Sequence, residues 1–145
     1  MILAIDPGTQ LGFCTEKSSG SVSFARTYSN DRIRAFRDWL SDIVLKEKIK
    51  MVVYERPTQG MFQATRIHSH FEAIILLICS YYGLGYMEVS AAEVKKWATG
   101  KGNAKKPQMI ESCKEKFGIT PKDDNECDAI WIYDYATKSG KIEIT

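Results

Sequence analysis

The chain has 145 residues, 44% hydrophobic and 26% charged, with a formal net charge of +2, which fits one domain covering residues 1–145. A chain this long buries about 68–70% of its unfolded surface, so it needs no disulfide scaffold, and Cys14, Cys79, Cys113 and Cys127 are scattered as expected of reduced thiols. Its longest apolar run, residues 73–79, is far short of the roughly 20 residues that span a bilayer, and the N-terminus lacks a basic signal-peptide head, so a cytoplasmic protein without membrane association is expected.

Residues 1–5 read as a short apolar strand that Asp6-Pro7-Gly8 stops with turn chemistry. Residues 11–16 and 22–27 read as two strands joined at Ser18-Ser19-Gly20. Asn30 is placed to cap a helix on which Ile33, Phe36, Leu40, Ile43 and Val44 form one apolar stripe. Residues 51–54 form a continuous apolar run, the pattern of a central strand covered on both faces, ending at Glu55-Arg56-Pro57. A second helix is expected from about residue 60 to 82, before Gly83, and a short strand at 86–89. Ser90 and Glu93 form a capping box for a helix running to about residue 98, and residues 99–103 form a loop. Pro107 suits the first turn of a helix that Gly118 ends, and a last helix covers about 124–138. Strands followed by alternating helix and strand predict an α/β or α+β fold.

Three acidic residues stand at the ends of elements that belong to the core: Asp6 after the first strand, Glu55 after the central one, and Asp128 one turn into the last helix. Singly, each has an ordinary explanation: a turn residue, a partner of Arg56, a complement to the helix dipole. Together they would form a cluster of negative charge that requires divalent cations to offset its repulsion. Oxygen ligands without cysteine or histidine favour Mg²⁺ or Mn²⁺ over zinc. Asp124 and Asn125 share the helix face of Asp128, whereas Glu126 points away.

Residues 94–110 hold Lys95, Lys96, Lys101, Lys105 and Lys106 with no acidic residue, which implies a local positive surface facing a polyanion. Lys95 and Lys96 also fit a solvated helix face. His68 and His70, two apart on a helix, do not share a face and read as ordinary, partly exposed histidines. Phe62 and Met61 fit either a wedge between bases or, as apolar residues in a helix first turn, core or staple. Trp97 and the run 74–78 read as packing, with a dimer face as the alternative for the run.

The segments Ala4-Ile5-Asp6-Pro7-Gly8-Thr9 with Gly12, Tyr54-Glu55, and Asn125-Glu126-Cys127-Asp128-Ala129 resemble the RuvC-type Holliday-junction resolvases of the RNase H-like superfamily. The stretch from Val94 through Lys106 is similar to that family's lysine-bearing segment, especially in its compact phage-borne forms. The resemblance implies an RNase H-like fold, with a mixed central sheet flanked by helices. It also implies a homodimer and a metal-dependent endonuclease that resolves four-way junctions by paired, symmetric strand cuts. Asp6, Glu55 and Asp128 fall on the family's metal-binding acids. The family's fourth acid falls on Asn125 here, so either Asn125 serves as a neutral oxygen ligand or Asp124, one step earlier, takes over. Mg²⁺ is the expected cofactor, with Mn²⁺ as a substitute, and Lys96, Lys101, Lys105, Lys106 and Phe62 are the DNA-binding candidates. Two alternatives share this framework: a DNA-structure-binding protein with weak or no catalysis, and an RNase H-like nuclease acting on forks, flaps or RNA-containing substrates. An actin-like nucleotide-binding protein, suggested by the same opening motif, would need a second domain and a second glycine-rich phosphate loop, so no nucleotide cofactor is expected.

Overall fold

The computed structural model describes residues 1–57 and 62–141. Five strands, β1 (Ile2–Asp6), β2 (Gln10–Cys14), β3 (Ser19–Ser23), β4 (Met51–Glu55) and β5 (Gly85–Val89), form one mixed sheet in the order β3-β2-β1-β4-β5. β1, β4 and β5 pair in parallel, and β2 runs antiparallel to both β1 and β3. The central strands are apolar along their length because helices cover both faces. α1 (Ser29–Lys46) and α2 (Phe62–Tyr82) pack on Leu3, Ile5, Leu11, Val52 and Tyr54. α3 (Ala91–Thr99), α4 (Lys106–Phe117) and α5 (Asp124–Lys138) pack on Ile2, Ala4, Val53 and Val89. The period-two alternation of a strand thus sends Asp6 and Glu55 to the α5 face, in line with Ala4 and Val53.

β1, β3, β4 and β5 all end at the same edge of the sheet, and α1, α2 and α3 start from it. Ligands of open α/β sheets gather at such carboxyl-end edges. α5 also begins there, because Gly12 of β2 lies directly against the backbone of Asn125, and a Cβ at Gly12 would overlap the Asn125 carbonyl. β3 holds the same turn: Ser19 Oγ donates to Glu126 Oε2 at 2.9 Å and Ser21 Oγ to Asp123 Oδ2 at 2.7 Å. Asp123 caps α5 by accepting from the Glu126 N–H at 2.8 Å. Glu126 therefore points away from Asp128, as its spacing requires.

The sequence misplaces the β2–β3 turn. It lies at residues 15–18, where Thr15 Oγ1 accepts from the N–H groups of Lys17 and Ser18, each at 3.1 Å, so Ser19 and Gly20 enter β3. β3 ends at Ser23 because the Phe24 ring turns into the core, 2% exposed. Asn30 is not a cap: α1 opens at Ser29 after an extended Tyr28 that makes no side-chain cap, and Asp31 supplies the acidic first turn. The expected helix start at Gly60, and Met61 with it, lie outside the described residues. No helix among the described residues is long and apolar enough to cross a membrane, and Cys14, Cys79, Cys113 and Cys127 are free and buried.

Candidate metal centre and nucleic-acid surface

Asp6, Glu55 and Asp128 meet in one cavity of about 320 Å³, whose other charged walls are Lys95, Lys105 and Lys106. A larger cavity of about 440 Å³ beside the β2–β3 turn contains none of the three carboxylates. Burial first, then repulsion from Glu55, Asp128 and Asp124, holds the Asp6 carboxyl well above the usual range. Asp128 is pushed up to about 7 by burial and by Glu55 and Asp124, against the pull of Lys95 and Lys106. Glu55 is raised by burial, with Lys95 and its hydrogen bond to Asp6 acting in the opposite sense. The three acids therefore sit close enough to repel one another.

Among the described residues no three His, Cys, Asp or Glu side chains are drawn in tightly enough to enclose a metal ion. The donor set is nonetheless the one a hard divalent cation takes: carboxylate oxygens only, held on three different elements and destabilised by their own repulsion. A bound dication would relieve that repulsion directly.

Asp124 lies beside this cluster, one-third exposed, and accepts an ion pair from Lys106 Nζ at 3.0 Å. Neither Asp124 nor Asn125 lines the cavity itself; the Asn125 carbonyl is the group seated on Gly12. Of the lysines singled out from the sequence, Lys105 and Lys106 reach the cavity, while Lys96 and Lys101 are exposed outside its lining. Phe62, the first residue of α2, is 76% exposed rather than core.

Lys95, which from the sequence fits either the positive surface or a solvated helix face, belongs to the cavity wall. It follows Ala91 by one helical turn, and both line the cavity together with Val94. His68 is partly exposed, as expected. Its Nε2–H donates to the backbone carbonyl of Glu55 at 2.7 Å, and burial pulls its pKa down. Trp97 is more than one-third exposed, and its indole N–H donates to Asp134 Oδ2 at 2.9 Å.

No protein-family model matches the chain. A crossover junction endodeoxyribonuclease RuvC from Carboxydothermus hydrogenoformans is 26% identical over 144 residues, covering 90% of this chain and 91% of that protein. RuvC of Thermus thermophilus superposes with a TM-score of 0.75 at 16% identity, covering 95% of this chain and 96% of the other. T. thermophilus RuvC in complex with a Holliday junction substrate gives 0.79 at 15% identity, covering 97% and 94%. The yeast mitochondrial Holliday junction resolvase gives 0.65 at 11% identity, covering 90% and 76%. The structural likenesses carry the fold, an RNase H-like mixed sheet flanked by helices; the sequence likeness extends over nearly the whole chain.

Proposed function

Because this chain is RuvC-like in sequence and in fold, we propose that it is a divalent-metal-dependent endonuclease that cleaves branched DNA, resolving Holliday junctions by paired strand cuts. The observation that carries this reading is the meeting of Asp6, Glu55 and Asp128, from β1, β4 and α5, in one cavity walled by lysines. The whole chain, residues 1–145, acts as one nuclease domain in the cytoplasm.

Asp6, Glu55 and Asp128 would hold Mg²⁺, with Mn²⁺ as a substitute, and Asp124 supplies a further oxygen. Held there, such ions would supply the activation of water and the stabilisation of the leaving oxygen that phosphodiester hydrolysis needs. The protein's own part is to hold the carboxylates on rigid element ends, which Gly12 and the Ser19 and Ser21 contacts do for α5. Lys95, Lys105 and Lys106 offset phosphate charge at the cavity wall, and Lys96 and Lys101 extend the same surface along the backbone. Phe62 stands exposed where it can wedge at an unstacked step of a junction.

Asp124 stands one helical turn before Asp128, and its charge acts on both Asp128 and Asp6; this favours Asp124 over Asn125 as the fourth ligand. Asp124→Asn is expected to lower cleavage by about 10–100-fold at limiting metal, the usual cost of a supporting group at a metal site, and to recover as metal is raised. Asn125→Asp should change little. A metal titration of both variants checks the assignment, and the reverse ranking transfers the role to Asn125.

One carboxylate cluster makes one cut, so two symmetric cuts call for a two-fold dimer. Leu77 and Tyr81, one helical turn apart on α2, are 58% and 78% exposed, with Leu76 beside them; this stripe is the proposed interface. A cruciform plasmid assay tests it: paired cuts within one binding event are expected, whereas a protein that stays monomeric on the junction and yields mostly single nicks contradicts the dimer.

A further inference from the structure

The positive residues of this chain are sorted by type and by place. All six arginines, Arg26, Arg32, Arg34, Arg37, Arg56 and Arg66, fall in the first 66 residues, and none follows. The fold gathers them at one end. Arg26 lies in the connection leaving the carboxyl end of β3, and Arg32, Arg34 and Arg37 lie in the first half of α1, which starts from that edge. Arg56 directly follows Glu55, and Arg66 is the fifth residue of α2. All six thus stand at or near the carboxylate edge, on the side of the sheet carrying α1 and α2. The lysines of the proposed cleavage surface occupy α3, α4 and the loop between them, on the opposite side. The remaining lysines of the first 66 residues, Lys17, Lys46, Lys48 and Lys50, belong to the other end, at the β2–β3 turn, the end of α1 and the start of β4.

Two of the arginines are locally committed: Arg34 pairs with Asp31 at 3.3 Å and Arg37 with Asp38 at 2.8 Å. Arg26, Arg32, Arg56 and Arg66 have no acidic partner among the described residues. Arg26, Arg56 and Arg66 are exposed, and Arg32 is half-buried, donating from Nη2 to the Arg26 carbonyl at 3.1 Å with its Nε unpartnered. A guanidinium presents paired N–H donors that match a phosphate. A local excess of such groups beside the exposed ring of Tyr28, 67% exposed, fits a nucleic-acid backbone better than an acidic peptide, because the lysine surface across the edge already faces that polymer.

We propose that Arg26, Arg32, Arg56 and Arg66 form a second phosphate-backbone surface, holding a duplex arm other than the one presented to the carboxylates. This rests on the reading of the chain as a branched-DNA nuclease and assigns it a way to tell branched from linear DNA. One duplex crossing the cavity is held by the lysines, and only a substrate with a diverging arm also reaches the arginines.

The test measures binding in EDTA, so that cleavage plays no part, by fluorescence anisotropy on a four-way junction and a linear duplex across a range of salt. Two double variants, Arg26→Gln with Arg32→Gln and Arg56→Gln with Arg66→Gln, are compared with a control at the far end of the sheet, Lys46→Gln with Lys48→Gln. Melting followed by circular dichroism establishes that each variant is folded, and the corresponding Arg→Lys pairs keep the charge while removing the paired donors of the guanidinium. Each arginine pair is expected to flatten the junction salt slope by about 1.8, or about 0.9 per lost phosphate contact, and to leave linear duplex binding within twofold. The control pair should leave both unchanged. Unaltered junction binding, an equal loss on linear duplex, or an equal loss in the control pair overturns the proposal while leaving the nuclease reading intact. Failure of the unmodified protein to bind junctions at all would instead overturn the nuclease reading.

Discussion

Gly12→Ala is expected to cost stability and cleavage together. The added Cβ has no room, because it would overlap the Asn125 carbonyl and lie 3.0 Å from the Glu126 nitrogen, both backbone atoms of the first turn of α5. Backbone cannot rotate away as a side chain can, so α5 must shift outward or the sheet must bend. Overpacking of this kind costs on the order of 3 kcal/mol, a fall of about 10 °C in melting temperature for a chain of this size. The same shift draws Asp124 and Asp128 away from Asp6 and Glu55, so cleavage should fall further than the lost stability explains at a temperature where the variant remains folded. Thermal melting and junction cleavage at 20–25 °C below the melting point check this. An unchanged melting point would mean that α5 is not seated on β2 at Gly12.

Neutralising the carboxylates should separate stability from activity. Asp6→Asn, Glu55→Gln and Asp128→Asn are each expected to keep junction binding and to lose cleavage by more than the roughly 10–100-fold that supporting residues cost at metal sites. In EDTA, however, Asp6→Asn should melt higher than the unmodified protein, because it removes one member of a buried, mutually repelling set. The pH dependence carries the sign. A carboxyl whose folded pKa is raised contributes stability that is fully present below its unfolded pKa and is lost as pH rises through the folded one. For Asp128 that window runs from 3.8 to about 7, so the metal-free protein should weaken across it and a divalent cation should restore what is lost. A melting temperature in EDTA that rises from pH 4 to 7, or no response to the cation, would contradict the repelling cluster.

The central strands were legible because their apolar runs have one physical cause, burial on both faces, and the same reasoning marked Asp6 and Glu55 as acids at the ends of core elements. Asp128 was marked in the same way, and helix periodicity then gave the outward direction of Glu126. The β2–β3 turn was misplaced because Ser18-Ser19-Gly20 is good turn chemistry, yet Thr15 makes a competing side-chain turn that the sequence does not rank. Lys95 stayed undecided for a similar reason: a lysine beside another lysine fits both a positive surface and a solvated helix face until the neighbouring residues are known to line a cavity. The bond from His68 to the Glu55 carbonyl joins residues 13 apart through the packing of α2 on β4, a relation that local spacing does not encode. The seat of Asn125 on Gly12 is likewise visible only in three dimensions, although the glycine itself stood out in the sequence.

The most direct measurement is cleavage of end-labelled four-way junctions, forks, flaps and linear duplex by the purified protein in Mg²⁺, Mn²⁺ or EDTA, with Asp6→Asn alongside. Paired, symmetric cuts are expected in the four-way junction with either metal, none in EDTA, none by the variant, and little cutting of linear duplex. Junction binding without metal-dependent cutting, or cutting that persists in Asp6→Asn, would contradict the metal-dependent nuclease reading.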